Sequence, residues 1–151
     1  MSILAATQAS AGQSSGILQV SLEVVDTCEV QAAPLTFVMA RDSSFGAASE
    51  TNVALKCSAN TEFSISLDDG ANAEGGRRQL VNPATGQTIV YDVYLDASRG
   101  QRWGARQSEL MAGNAGEDGM ETITVYGFVP ASSIKPDAGH FSDSLVMTVH
   151  F

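Results

Sequence analysis

Residues 144–151 read SLVMTVHF. Leu145, Met147, Val149 and Phe151 are apolar and fall on one face of a strand, while Ser144, Val146, Thr148 and His150 fall on the other. Period-two alternation of this kind marks a strand packed against a core. The pattern runs to the last residue of the sequence, where chains fray unless something holds them. The expectation is a strand whose partner comes from elsewhere.

Working back from that strand, the same signal recurs. Residues 121–129 (ETITVYGFV) form a strand ended by Pro130, and residues 88–96 (TIVYDVYLD) are strongly β-prone. Residues 62–67 (EFSISL) place Phe63, Ile65 and Leu67 inward, and residues 51–58 (TNVALKCS) place Val53, Leu55 and Cys57 on one face. A further strand, residues 35–39 (LTFVM), follows Pro34, and the Gly- and Asn-rich stretch DDGANAEGG is a long turn. Residues 107–113 have room for one short helical turn, and no segment shows a sustained helical period. Near the start, residues 16–24 (GILQVSLEV) alternate cleanly: Leu18, Val20, Leu22 and Val24 point one way, Gln19, Ser21 and Glu23 the other. The flexible stretch GQSSG leads into them.

Many short alternating strands with turns between them imply an all-β fold of the immunoglobulin-like sandwich type, in which seven strands are the norm. Downstream of Cys28 about six usable strand positions can be found, and the last takes the place of strand F. The expected fold is an incomplete immunoglobulin-like β-sandwich lacking the last (G) strand. An open edge of that kind invites pairing with another chain, and the spare strand lies ahead of the first cysteine. The chain divides accordingly into residues 1–11, a signal-peptide remnant; 12–27, an N-terminal linker and donor strand; and 28–151, the incomplete sandwich domain.

Composition narrows the function. The chain has 151 residues, eight basic and seventeen acidic side chains and a net charge of −9, which suits one domain and argues against a nucleic-acid partner. No stretch is long and apolar enough for stable membrane insertion. The two cysteines, Cys28 and Cys57, lie in strand-like contexts with no CxxC or Cys/His cluster. A disulfide between them is a better reading than two buried thiols, and it implies an oxidising compartment. Closing a loop of this length stabilises a fold by about 3–4 kcal/mol in the chain-entropy account. Export has a second indication: Ala9-Ser10-Ala11 has the A-x-A form that precedes signal cleavage, which would leave Gly12 first. The basic and most of the apolar parts of a signal are missing, so the segment reads as a truncated signal, with a small-residue leader as the competing reading.

No catalytic, cofactor or metal site emerges. GQSSG matches G-x-S-x-G in form, but a nucleophile elbow needs a strand before it and a helix after it. The histidines are placed at the surface, His150 on the outward face of the last strand and His140 in a turn. Asp68, Asp69, Asn72 and Glu74 lack the spacing of a calcium loop. Arg77-Arg78 reads as a solvated pair at the start of a strand, with contact to an acidic partner as the alternative. Trp103 reads as packing, with a carbohydrate platform as the alternative.

The ordered set of motifs resembles the spore coat protein U domain, the fold of subunits from archaic (Csu-type) chaperone–usher pili. The resemblance runs from about Gly16 to Phe151. It rests on the alternating strand leading to Cys28, LTF from Leu35, VALKCS from Val53, SLDDG from Ser66, Arg77-Arg78, VYDVYLD from Val90, Trp103-Gly104, VYGFVP from Val125 and GHFSDSLVMTVHF from Gly139. One departure is Phe37-Val38, where the family often has FG. The resemblance implies a non-enzymatic structural subunit exported through the periplasm to an extracellular fimbrium on the cell surface, supporting adhesion and biofilm formation. It implies a periplasmic chaperone that lends a strand, an outer-membrane usher, and a homopolymer built by donor-strand exchange. Leu18, Val20, Leu22 and Val24 would be the donated side chains; Leu145, Met147, Val149 and Phe151 would line the acceptor groove. Burying four such donors at roughly 1.5–3 kcal/mol each gives on the order of 6–12 kcal/mol as an upper bound. Head-to-tail donation does not close on itself, so it makes a filament. The competing expectation is a self-contained extracellular coat protein or surface- or glycan-binding β-sandwich module.

Overall fold

The computed structural model describes residues 2–132 and 135–151. Its elements are β1 (Cys28–Ala32), β2 (Ala47–Cys57), β3 (Glu62–Leu67), β4 (Gln79–Val81), β5 (Thr88–Val90), β6 (Asp92–Tyr94), β7 (Met111–Asn114), β8 (Met120–Val129) and β9 (Met147–His150), with one short 3-10 turn at Gln107–Glu109. One sheet has the order β1-β2-β8-β6, the facing one has the order β7-β3-β9, and β4 and β5 form a separate ribbon. Every pairing is antiparallel. The fold is an open, immunoglobulin-like all-β sandwich, and neither main sheet closes on itself.

Alternation explains the long strands. Val53 and Leu55 of β2, Phe63, Ile65 and Leu67 of β3, and Ile123, Val125 and Val129 of β8 are buried between the two sheets, and their neighbours in sequence face outward. Trp103 is wholly buried among them and donates its indole N–H to the Ile65 carbonyl at 2.9 Å. This is the packing role expected of it. Gly127 sits at an inward position of β8, and a Cβ there would stand 2.6 Å from both Leu35 Cδ2 and Phe37 Cζ. The missing side chain is what lets residues 35–37 sink onto the core.

The expectation of a solvated Arg77-Arg78 pair is half wrong. Arg77 is exposed, whereas Arg78 is completely buried. Its guanidinium donates to the Asp68 carbonyl at 2.7 and 3.0 Å, to the Leu67 carbonyl at 3.3 Å, to the Trp103 carbonyl at 2.8 Å and to Asp92 Oδ1 at 2.7 Å. A buried charge persists only when paired and hydrogen-bonded, and the fixed fork of arginine suits several acceptors at once. Asp92 carries the connection outward to Arg102, which also pairs with Asp69 and Glu109. This lattice ties the end of β3, the start of β6 and the loop around Trp103 together.

Two sequence expectations change, and a third is narrowed. The run 88–96 is two strands, because β5 pairs with β4 and β6 with β8, the change of partner falling at Tyr91. Residues 35–39 alternate in burial but belong to no strand. The helical turn expected at 107–113 is confined to Gln107–Glu109, and β7 takes over from Met111. Counting strands also proves a poor guide, since seven strands occupy the two main sheets.

Cys28 and Cys57 are opposite each other in the β1–β2 ladder and form a disulfide. It is the covalent tie between the edge strand β1 and the body of the sheet, across a separation of 29 residues. Replacing both cysteines by serine is expected to lower unfolding stability by about 3–4 kcal/mol. Urea denaturation of the variant beside the oxidised parent measures this; identical midpoints would contradict it.

Candidate functional site

The two sheets each expose an edge on the same side of the sandwich. β1 pairs only with β2 and β9 only with β3, and the two strands lie close to each other without pairing. Upstream of β9 the connections again run to one side: Asp68 donates its N–H to the Val146 carbonyl at 3.0 Å, Ala71 donates to Ser144 at 3.0 Å, and Val146 donates to Asp68 Oδ1 at 2.8 Å. Among the described residues, no strand ladder occupies the far edge of β9 or of β1.

The proposed acceptor residues fall on this edge. Leu145, Met147 and Val149 are half-buried and pack against the core, while Thr148 and His150 face outward. His150 Nε2 lies 3.3 Å from the Ser66 hydroxyl, so its outward placement agrees with the sequence reading. Phe151 lies beyond β9 and is 62% exposed. It shares the inward parity of the others and is left largely uncovered.

A cleft of about 430 Å³ that the sequence reading did not foresee lies between the residues that follow β1 and those that precede β9. One wall is Leu35, Phe37 and Met39; the other is the stretch 136–143; Leu80, Ile89 and Val129 contribute beneath. The sequence signal that bears on it is the alternation of residues 35–39, which by itself reads as an ordinary strand. Tyr91 joins the two walls at the base. Its ring meets Phe37 edge-on at 6.3 Å between centroids, and its hydroxyl donates to Asp143 Oδ2 at 2.7 Å. Burial, then the hydrogen bond to Asp143 and the charge of that carboxylate, push the Tyr91 phenol well above its usual range.

The proposed donor residues lie off the sandwich altogether. Residues 2–27 form no strand and are exposed throughout. Leu18, Val20, Leu22 and Val24 are 85–87% exposed, and Ile17 on the other face is bare as well. The expected strand at 16–24 is therefore absent from the single chain, where the segment joins no ladder. An apolar run left in water is a marker of an interaction segment.

The polar groups of the turn at 68–74 have structural partners. Asp68 Oδ1 accepts the N–H of Gly70, Asp69 pairs with Arg102, Asn72 bonds Asp143, and Glu74 bridges to Arg77 through the backbone. GQSSG lies in the exposed leader, without the strand and helix an elbow requires. No helix among the described residues is long and apolar enough to cross a membrane.

The family model described as Spore Coat Protein U domain matches residues 14–148. The chain belongs to this family. The matched range takes in the exposed alternating segment as well as the sandwich. Among solved structures the fold is similar to one in a chaperone–tip adhesion subunit pre-assembly complex from the archaic chaperone-usher Csu pili of Acinetobacter baumannii, with a TM-score of 0.64 and 17% identity. The match covers 85% of this chain and 40% of that one, so the chain spans about two fifths of its solved neighbour. No curated protein matches the sequence.

The Tyr91–Asp143 bond makes a pH-dependent contribution whose sign follows from the raised phenol. The unfolded chain loses this proton near the usual value of 10.0, before the folded chain does. The contribution is thus complete below that pH and is lost as pH rises above it. Tyr91→Phe is expected to cost about 1–3 kcal/mol at neutral pH and to flatten the decline in stability above pH ~10. Urea titrations at pH values on both sides of that point measure both effects; an equally steep alkaline decline in the variant would contradict the assignment.

Proposed function

We propose that this chain is a structural, non-enzymatic subunit of a chaperone–usher pilus, polymerising head to tail by donor-strand exchange. Residues 18–24 of one copy enter the open edge of the next, between β1 and β9, and supply the strand that the sandwich lacks. The observation that carries the reading is the coexistence, in one chain, of an apolar-lined unpaired sheet edge and an exposed segment whose alternation matches it. Membership of the spore coat protein U domain family supports it. So does the likeness of the fold to a subunit whose described complex contains a chaperone.

The physics of the exchange follows from strand addition. Backbone N–H and C=O groups of the open edge gain a ladder, and alternate side chains of the donor reach the core. Leu145, Met147 and Val149 are already turned inward on the acceptor side, and Phe151 gains cover only when a neighbour arrives. Before assembly a periplasmic chaperone lends a temporary strand, because an edge of this kind aggregates if left open. An outer-membrane usher then directs the replacement, and the product is a surface fimbrium that supports adhesion and biofilm formation. The disulfide of β1 and β2 fits passage through an oxidising compartment. Once the donor is seated, its release approaches unfolding of the acceptor, which makes the fibre kinetically stable.

A self-contained glycan-binding module is less well supported. The aromatic side chain that could have served as a sugar platform, Trp103, is wholly buried and hydrogen-bonded within the core.

Leu22→Asp places a charge at the centre of the donated face while leaving the sandwich untouched, since Leu22 is 87% exposed in the single chain. The variant is expected to remain soluble with its chaperone and to form no fibres by electron microscopy. Fibres of normal length from Leu22→Asp would overturn the proposal.

A further inference from the structure

Resting on the strand-donation reading, we infer that the slot between β1 and β9 continues into the cleft between residues 35–41 and 136–143, and that Arg41 and Asp137 form an ion-pair latch across its mouth, which an incoming strand must open. Arg41 extends the wall made by residues 35–39, and Asp137 belongs to the opposite wall. The Arg41 guanidinium reaches Asp137 Oδ1 at 3.1 Å, and both side chains are about two-thirds exposed, at 66% and 64%. Lys135 adds a second crossing, donating from Nζ to the Ser43 carbonyl at 2.9 Å.

The two walls differ in how firmly they are held. The 136–143 wall is fastened to the β4–β5 ribbon and the neighbouring turn. Val81 and Ser142 exchange backbone hydrogen bonds at 2.9 and 3.0 Å, Asp137 donates its N–H to Gln87 Oε1 at 2.9 Å, and Asn72 donates to Asp143 at 3.1 Å. The wall of residues 35–39 belongs to no strand. At the base the walls meet through Tyr91, which is 5% exposed. At the mouth they meet through charged groups in water. The cleft is thus bridged at its base by a buried tyrosine and at its mouth by a solvent-exposed ion pair.

Exposed ion pairs are weak and screened by salt. That makes this one suited to delaying entry of a strand without making the occupied state less stable. A buried hydrogen-bonded pair in the same place would hold the cleft shut. The apolar walls would otherwise stand open to any extended segment, so a latch of small cost lowers promiscuous pairing before the correct donor arrives.

The test uses the full chain carrying Leu22→Asp, so that it cannot donate to itself, and a fluorescein-labelled peptide of residues 16–26 as the strand. Association is followed by fluorescence anisotropy at low salt, near ~20 mM, and at ~0.5 M. Arg41→Ala and, separately, Asp137→Ala are expected to raise the low-salt association rate by about two- to five-fold. The exchanged pair Arg41→Asp with Asp137→Arg is expected to return it to the parent value. In high salt the parent is expected to match the alanine variants. Near-ultraviolet circular dichroism of Trp103 establishes that each variant is folded, and two independent single variants guard against the loss of one. Equal rates at low salt, slower association in the alanine variants, or no recovery in the exchanged pair would each overturn the latch while leaving strand donation intact. Failure of the peptide to bind the parent and all variants would overturn strand donation, and the latch with it.

Discussion

β9 is hydrogen-bonded on one side only, and much of the rest of the molecule follows from that. A strand at the edge of a sandwich carries a row of backbone donors and acceptors and an inward row of apolar side chains. In this chain the inward row, Leu145, Met147 and Val149, is only half-covered. β1, the facing edge, is in the same position. Two edges are left open side by side, and residues 18–24 have the composition and period of a strand while lying exposed in their own chain. The sheet's need and the segment's exposure are complementary constraints on one sequence.

An open sandwich of this kind has to be rigid elsewhere, because one missing strand removes part of the core's cover. Rigidity comes from two covalent or charged devices. The Cys28–Cys57 disulfide holds β1 against β2, so that an edge strand paired on one side cannot peel away. The buried Arg78 collects the carbonyls of Leu67, Asp68 and Trp103 and the carboxylate of Asp92, fixing the end of β3 next to the start of β6. Removing one partner from a buried set of this kind leaves the others uncompensated. The arrangement therefore favours a single, well-defined geometry for the slot. Tyr91 extends the same logic to the cleft, since it touches Phe37 on one wall and Asp143 on the other.

Much of this was legible in the sequence, and the misses have physical causes. β2, β3, β8 and β9 declared themselves because each is buried on one face, which imposes a period of two. The break at Tyr91 was invisible because Ile89, Tyr91 and Val93 all turn inward without interruption. Side-chain periodicity records which face is covered and not which strand supplies the hydrogen bonds. Residues 35–39 misled in the same way, alternating against the core without joining a ladder. β4 escaped notice since all its residues are half-buried, and β7, MAGN, contains residues of low strand propensity. Nor could adjacent Arg77 and Arg78 be told apart, because the acceptors that bury Arg78 come from positions far along the chain. The slot was inferred from a strand count that the structure revises; its physical basis is the pairing pattern of β9, not the number of strands. The apolar cleft between residues 35–39 and 136–143 depends on tertiary packing that no local pattern encodes.

The central claim is that the segment near the start of the chain is the strand the sandwich lacks. Moving residues 12–24 behind Phe151 on a short turn linker tests it most directly, because the same side chains then reach the slot within one molecule. Thermal melts and size-exclusion profiles of the rearranged and original chains are compared. The account expects the rearranged chain to be a monomer of markedly higher melting temperature, and the original to polymerise or aggregate. Two soluble monomers with similar melts would contradict it.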